Sequence, residues 1–342
     1  MTFAMLRAHC LALCMMSAAT HAAAPLPLPA LAADSENLTV SGLSSGGFMA
    51  VQFHVAHSSL VRGAGVLAGG PYYCAKGSAV RALSSCMSPN FLFPTPSPEN
   101  AREEMEKQAA AGHIDPPVNL RESRVWLLSG GKDQIVSDTV VDMTHAFYLQ
   151  WLPETAIVRE RLPEAGHAMI APQAEGAGAC ATNAPPYINR CGDFDAPGRL
   201  LTHLLGTLLP KAQTADGELL IFRQDEFAAP ETGMAGAAYL YIPSGCRAGG
   251  CRIHVAFHGC RQSAATIGET YARKSGYNQW AESNRLIMLY PQTSNSKDAN
   301  GCWDWWGYTG PGYHLRSAPQ IKAVRGMIKR LTEKPAGTTA SP

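Results

Sequence analysis

Leu38-Thr-Val-Ser-Gly-Leu-Ser-Ser-Gly-Gly-Phe-Met-Ala50 is the stretch that decides the fold. Leu38–Ser41 reads as a short strand, and Phe48 to His57 has a helical pattern. Between them, Gly42-x-Ser44-x-Gly46 has the spacing of a nucleophile elbow. In such a turn a serine sits in a strained conformation, and small flanking residues keep the neighbouring backbones from clashing. The helix that follows aims its free N–H groups at the reacting oxygen. The glycine spacing favours Ser44 over Ser45 as nucleophile and leaves the Ser45 N–H as an oxyanion donor. An ordinary Gly/Ser turn is the plainer alternative for the motif taken alone.

Outward from this point, strands and helices alternate. Val61–Leu67, Arg124–Leu128 and Ala156–Leu162 read as strands, with helices at Ser137–Trp151 and Arg199–Leu208. Residues 70–120 form an excursion rich in Pro, Ser and Gly. Glu218–Arg223 and Ala238–Ile242 read as a strand pair, Arg252–Phe257 and Leu286–Tyr290 as further strands, and Thr266–Asn284 and Ile321–Leu331 as mostly helical. Alternation of this kind predicts an α/β fold, with a mainly parallel sheet and helices on both faces.

An elbow serine requires a base and an acid, expected in the order Ser, acid, His. Asp133 follows the end of the Arg124–Leu128 strand, where a carboxylate can hold an imidazolium. Asp138 is the alternative acid, but its place at a helix start already explains it. His167 follows the Ala156–Leu162 strand in Pro163-Glu-Ala-Gly-His167 and suits general-base work. A second oxyanion donor normally follows an early strand marked His-Gly. This sequence carries His258-Gly259-Cys260 late in the chain. Circular permutation accounts for the order: with residues 217–332 placed before 36–210, the strands, elbow, acid and base fall in the hydrolase sequence.

The chain has 342 residues, 16% of them charged, and a formal net charge of +1. That balance argues against nucleic-acid or anionic-membrane partners. Residues 1–24 read as a signal peptide: Arg7, a short apolar run from Cys10 to Ala19, then Ala22 and Ala24 at a cleavage site. Residues 25–35 read as a linker, 36–334 as one catalytic domain and 335–342 as a disordered tail. The expected location is extracellular, or periplasmic in a bacterium.

Ten cysteines, two of them in the leader, leave eight for an oxidising compartment: Cys74, Cys86, Cys180, Cys191, Cys246, Cys251, Cys260 and Cys302. Closeness in the chain suggests Cys74–Cys86, Cys180–Cys191, Cys246–Cys251 and, by what remains, Cys260–Cys302. Connectivity is not fixed by sequence alone. Zinc is the competing use, but there is no CxxC spacing and no histidine at ligand spacing. No metal or cofactor is expected.

Cys302-Trp-Asp-Trp-Trp-Gly-Tyr308 gathers three tryptophans into seven residues, and Tyr72 and Tyr73 lie in another loop. Exposed at a rim, such rings would offer an apolar surface to a flexible chain or a platform for carbohydrate. Packed inward, they would be core.

Several stretches together resemble a known family: Val40-Ser-Gly-Leu-Ser-Ser-Gly-Gly-Phe-Met-Ala50, Ala68-Gly-Gly-Pro-Tyr72, His254-Val-Ala-Phe-His-Gly-Cys-Arg-Gln-Ser263, Gly276-Tyr-Asn-Gln-Trp-Ala281, Leu289-Tyr-Pro-Gln292 and Gly301-Cys-Trp-Asp-Trp305. The family is that of the secreted poly(3-hydroxybutyrate) depolymerases with a circularly permuted α/β-hydrolase domain, in its single-domain fungal form. The resemblance implies nucleophile Ser44, acid Asp133, base His167 and oxyanion donors on Ser45 and Cys260. It also implies a groove lined by Trp305, with Trp303 and Trp306 as further candidates, and Tyr72 is a candidate for the same surface as a loop aromatic. The partner implied is a polyester or oligoester, cleaved by a monomer. Two departures stand out. The segment from Tyr290 to Cys302 is short for the family, and no polymer-binding domain is expected after residue 332. Two other functions fit parts of the pattern: a feruloyl or acetyl esterase acting on plant polysaccharide, and a non-enzymatic binding protein with a decayed site.

Overall fold

The computed structural model describes residues 24–172 and 174–335. All but the last residue of the expected signal peptide and nearly all of the expected tail lie outside the described residues. The strands are β1 Asp34–Leu43, β2 Val61–Leu67, β3 Arg124–Gly130, β4 Ile157–Leu162, β5 Met169–Ile170, β6 Gly178–Ala179, β7 Ile188–Arg190, β8 Glu218–Arg223, β9 Ala237–Ile242, β10 Arg252–Phe257 and β11 Leu286–Tyr290. The helices are α1 Ser45–Ala56, α2 Ala79–Leu83, α3 Pro98–Ala110, α4 Asp138–Leu149, α5 Ala196–Leu205, α6 Ala264–Ile267, α7 Thr270–Lys274, α8 Tyr277–Asn284 and α9 Pro319–Thr332.

Eight strands form one sheet in the order β4-β3-β2-β1-β10-β11-β9-β8. It is parallel from β4 to β11, and β9 pairs antiparallel with both β11 and β8. β1 lies at the centre: Val40 pairs with Ala64 of β2 on one side and Val255 of β10 on the other. From Leu38 onward every β1 residue is buried, as expected of a parallel strand covered on both faces. Met49, Phe53, Val324 and Ile328 fill one side of the sheet, and Leu200, Leu201, Tyr277 and Ala281 fill the other. Helix α1 is buried over its whole circumference, as a helix at the sheet centre must be, and its buried Gln52 and His54 are hydrogen-bonded.

The buried polar side chains of β1, Thr39 and Ser41, are satisfied internally. His254 of β10 bonds Thr39 Oγ1 through Nδ1 and Ser41 Oγ through Nε2, each at 2.7 Å. Burial lowers the His254 pKa to about 3, so a neutral imidazole bridges the two strands.

The permutation is visible in the topology. Read from β8, with α9 joined to β1, the strands lie in the order first, second, fourth, third, fifth, sixth, seventh, eighth, the second being antiparallel. The end of α9 meets the start of β1 through backbone hydrogen bonds. Leu31 and Ala33 donate to the Leu331 carbonyl at 3.2 and 3.0 Å, and Ala32 donates to that of Glu333 at 2.8 Å.

Residues 25–35 do not behave as the linker expected of them. Leu26 pairs with edge strand β8, accepting from Arg223 N–H at 2.7 Å and donating to the Ile221 carbonyl at 3.0 Å. Leu28, Leu31 and Ala33 are buried in the core. Pro and Ala give the segment a linker's composition, but its leucines have apolar surface to bury and an open sheet edge beside them.

All eight cysteines of the described residues form disulfides: Cys74–Cys86, Cys180–Cys191, Cys246–Cys251 and Cys260–Cys302. The thiolates that zinc would need are thereby taken up.

Candidate active site

Ser44 caps the end of β1 with φ 58° and ψ −124°, a left-handed conformation rare for a residue with a side chain and costing on the order of 1–3 kcal/mol. Packing imposes it. The Ser44 N–H donates to the Leu67 carbonyl at 2.9 Å, and α1 starts at the next residue. The flanking glycines are required by space. A Cβ on Gly42 would lie 2.2 Å from the Gly46 backbone, and one on Gly46 would lie 2.4 Å from the carbonyl oxygens of Phe257 and His258.

The candidate acid and base meet. His167 Nδ1 and Asp133 Oδ2 are 2.7 Å apart, and both side chains are buried. The other carboxylate oxygen, Asp133 Oδ1, accepts from the N–H groups of Ile135 at 2.8 Å and Val136 at 2.9 Å. Those bonds aim the carboxylate at the imidazole and leave Nε2 as the ring nitrogen available to the cleft that Ser44 also lines. The alternative acid, Asp138, is committed elsewhere: it accepts from Ser129 and pairs with Arg159 and Arg161. Burial alone would raise its pKa, but those hydrogen bonds and charges outweigh it and hold the carboxyl below its ordinary range. On α1, His54 is buried against Tyr148 Oη and Ser123 Oγ, each at 3.0 Å, and does not line the cleft.

The loop after β10 runs beside the elbow. A Cβ on Gly259 would lie 3.4 Å from Ser44 Cβ, and Gly259 and Cys260 line the cleft. Among the described residues no protein acceptor takes the Cys260 N–H, and Ser45 opens a helix, where the N–H lacks an intrahelical partner. Two further residues fix this loop. Gly259 N–H donates to Gln262 Oε1 at 2.7 Å, and Gln262 Nε2 reaches the carbonyls of Pro186 and Tyr187 at 2.8 and 3.1 Å. His258 Nε2 accepts from Thr293 N–H at 3.2 Å, so Nδ1 carries the proton bonded to the Gly259 carbonyl at 2.7 Å. Burial lowers the His258 pKa to about 4, which keeps this anchor neutral. Sequence reading missed Gln262, although it stands three residues after the glycine whose amide it orients.

The cleft holds about 460 Å³ and is mostly apolar, with Phe48, Leu83, Met87, Ile135, Tyr187, Trp305 and Trp306 on its walls. Polar groups are few: Ser44, His167, Arg261, Asp298 and Asn300. Trp305 stacks on Phe48 with centroids 4.0 Å apart, and Trp306 stands edge-on to Trp305 at 5.4 Å.

Trp303 and Tyr72, expected at the groove, are not there. Trp303 is fully buried behind the site, 5.0 Å from the Phe257 ring and 5.5 Å from that of His258. Tyr72 is 1% exposed, with its hydroxyl on the His314 carbonyl at 3.3 Å. Asp304 turns the chain here. It caps the N–H groups of Gly307, Tyr308 and Thr309, so consecutive indoles do not share a face. The difference is measurable. Trp303→Ala should lower unfolding stability by about 3–5 kcal/mol with KM unchanged in the folded protein. Trp306→Ala, at a half-buried ring, should raise KM for an oligoester several-fold with little change in Tm. Thermal unfolding and steady-state kinetics on both variants decide it.

Known proteins resemble this chain in sequence and fold. The family model described as Esterase PHB depolymerase matches residues 237–332. The chain is similar to a poly(3-hydroxybutyrate) depolymerase of Delftia acidovorans, 42% identical over 96% of this chain and 66% of that protein. It is also similar to a polyhydroxybutyrate depolymerase of Talaromyces funiculosus, 32% identical over 89% of this chain and 92% of that one. So it spans about two thirds of the first relative and nearly all of the second. Among solved structures it resembles the PHB depolymerase from Penicillium funiculosum with TM-score 0.83 and 30% identity, over 90% of this chain and 98% of that one. A PHB depolymerase complexed with R3HB trimer matches with TM-score 0.82 over the same shares. With 32% identity across nearly the whole length of a curated depolymerase, the chain belongs to the poly(3-hydroxybutyrate) depolymerase family.

Proposed function

We propose that this protein is a secreted serine esterase that hydrolyses poly(3-hydroxybutyrate) or its oligomers through an acyl-enzyme. The observation that carries the reading is the Asp133–His167 pair at 2.7 Å, whose histidine lines the same cleft as the elbow serine. In this mechanism His167 Nε2 takes the Ser44 proton as Oγ attacks the ester carbonyl. The Ser45 and Cys260 N–H groups hold the oxyanion. The imidazolium then protonates the departing hydroxy-acid oxygen. Water, deprotonated by the same nitrogen, releases the acyl group and restores Ser44. Asp133 keeps the imidazole in the reactive tautomer and stabilises its charged form.

Apolar walls with few hydrogen-bonding groups suit an aliphatic polyester, which offers methyl groups and ester carbonyls but no free donors along the chain. The relatives' names point to the same polymer. Four disulfides suit an oxidising compartment, which supports secretion. No helix among the described residues is long and apolar enough to cross a membrane. One chain supplies every candidate group, which supports action as a monomer.

A fluorophosphonate should label the protein once, on the peptide carrying Ser44. The same treatment should end release of 3-hydroxybutyrate from amorphous polymer and from soluble oligomers. Labelling at another residue, or continued release from fully labelled protein, would sink the proposal. Release of ferulate with no release of 3-hydroxybutyrate would move the substrate to plant polysaccharide esters.

A further inference from the structure

Asp133 and His167 arrive on separate loops, one after β3 and one after β4, and one side chain spans the two. Asn183 Oδ1 accepts from the His167 N–H at 2.8 Å and from the Gln134 N–H at 3.1 Å. Its Nδ2 donates to the carbonyls of Lys132 and Ala181, each at 3.0 Å. Lys132 and Gln134 flank Asp133. A primary amide has two donor hydrogens and an acceptor oxygen with two lone pairs, and all of these positions are in use. Asn183 therefore grips the acid's loop on both sides of the carboxylate and the base at its own amide. It does not line the cleft.

The segment that presents Asn183 is itself braced. The Cys180–Cys191 disulfide closes it. Buried Asn189 donates through Nδ2 to the carbonyls of Cys180 at 3.2 Å and Thr182 at 2.8 Å. The Gly166 N–H donates to the Cys180 carbonyl at 2.8 Å. A Cβ on Gly166 would lie 2.4 Å from the Thr182 carbonyl oxygen, so the residue before His167 must be this small for the two backbones to meet.

We propose that Asn183, delivered by the disulfide-closed segment, is a positioning residue that holds Asp133 and His167 in register. This rests on the serine–histidine–aspartate reading above. The carboxylate is already aimed by two backbone amides of its own loop. The loops also meet directly below the pair, where the N–H groups of Gly131 and Lys132 donate to the carbonyls of Leu162 and Ala165 at 2.9 and 2.8 Å. Among the side chains of the described residues, Asn183 alone carries the link up to the His167 N–H and past Asp133 to Gln134. Misplacement of a catalytic group by about 1 Å can cost roughly a hundredfold in rate.

The test is steady-state kinetics on a soluble short-chain ester, with phosphonate labelling of Ser44 followed in parallel. Asn183→Ala should lower kcat by about 10- to 100-fold, leave KM within about twofold, and slow labelling by the same factor as kcat. Asn183→Asp keeps the size and the two acceptor contacts but sets a carboxylate oxygen against the Lys132 and Ala181 carbonyls where the amide donated, so it should show the same pattern with at least as large a loss. Asn278→Ala removes a buried amide of α8 that bonds the Ala272 carbonyl and the Tyr290 hydroxyl and is bonded to neither the Asn183 segment nor the catalytic loops, so it should lower Tm while keeping most of kcat. A kcat within threefold of wild type in both Asn183 variants overturns the inference, as does an equal kcat loss in Asn278→Ala. Activity surviving in Ser44→Ala would instead overturn the underlying triad, so the two failures are distinct.

Discussion

Alanine at Ser44 is expected to lower kcat on a short p-nitrophenyl ester by roughly 10⁴- to 10⁶-fold while leaving the unfolding midpoint close to wild type. The size follows from what one hydroxyl does. Without Oγ no acyl-enzyme forms, and the Asp133–His167 pair has no nucleophile to deprotonate. The remaining acceleration would come from the oxyanion donors acting on a bound water. The fold should tolerate the change because alanine keeps the Cβ, and the strain at φ 58° belongs to the backbone and is the same in both proteins. Ser45→Ala is the matching control. Its contribution to the site is a backbone N–H, which alanine retains. Among the described residues its hydroxyl accepts one bond, from the Trp303 backbone N–H at 3.3 Å. Ser45→Ala should therefore stay within about tenfold of wild type, the scale of one modest hydrogen bond. Near-normal hydrolysis by folded Ser44→Ala, or an inert Ser45→Ala, would reverse the assignment made from the Gly42-x-Ser44-x-Gly46 spacing.

What could be read from sequence was local in the chain or fixed by strand order. The elbow is one turn, so its residues are neighbours and their spacing carries the geometry. The acid and base each follow a strand end, and a parallel sheet gathers such ends along one edge. The misplaced His-Gly at 258–259 signalled the permutation, because β10 lies beside β1 however the chain is cut. Three of the four disulfides close separations of 12 residues or fewer, which made proximity a usable guide. What escaped depends on contacts between distant segments. Trp303 and Trp305 are two residues apart in similar chemistry, and only the turn around Asp304 sends one into the core and the other to the cleft. Tyr72 is claimed by His314, 242 residues away. Asn183 and Gln262 are polar residues with no period, and their use is defined by backbone groups that sequence does not bring near. Leu28 and Leu31 sit among prolines and alanines, and the segment that buries them is held by Leu26 at the β8 edge and by Leu31 and Ala33 at the end of α9, partners that meet it only once the sheet is built.

Gly46→Ala should be nearly as damaging as loss of the nucleophile, and by a different route. The new methyl would lie 2.4 Å from two carbonyl oxygens, those of Phe257 and His258, and both belong to main chain at the end of β10. No side chain can swing aside, so α1 and the β10 end must separate. Overpacking of this kind costs about 1–3 kcal/mol of stability. The catalytic cost is larger, because the separating parts carry the two oxyanion donors: Ser45 opens α1, and Cys260 follows His258 and Gly259. Widening the gap between them withdraws at least one donor from the oxyanion, worth roughly 10²–10³ in kcat. Hydrolysis should therefore fall at least about a hundredfold while KM, set by the cleft walls, changes little. Gly236→Ala provides the comparison: the same chemical change where a Cβ would meet nothing within 4 Å, and so no expected loss of rate. Kinetics and thermal unfolding of the pair separate crowding from glycine's general role in the chain. If Gly46→Ala retained wild-type kcat, the elbow would not need its close approach to β10, and the case for Ser45 and Cys260 acting together on one oxygen would lose its geometric basis.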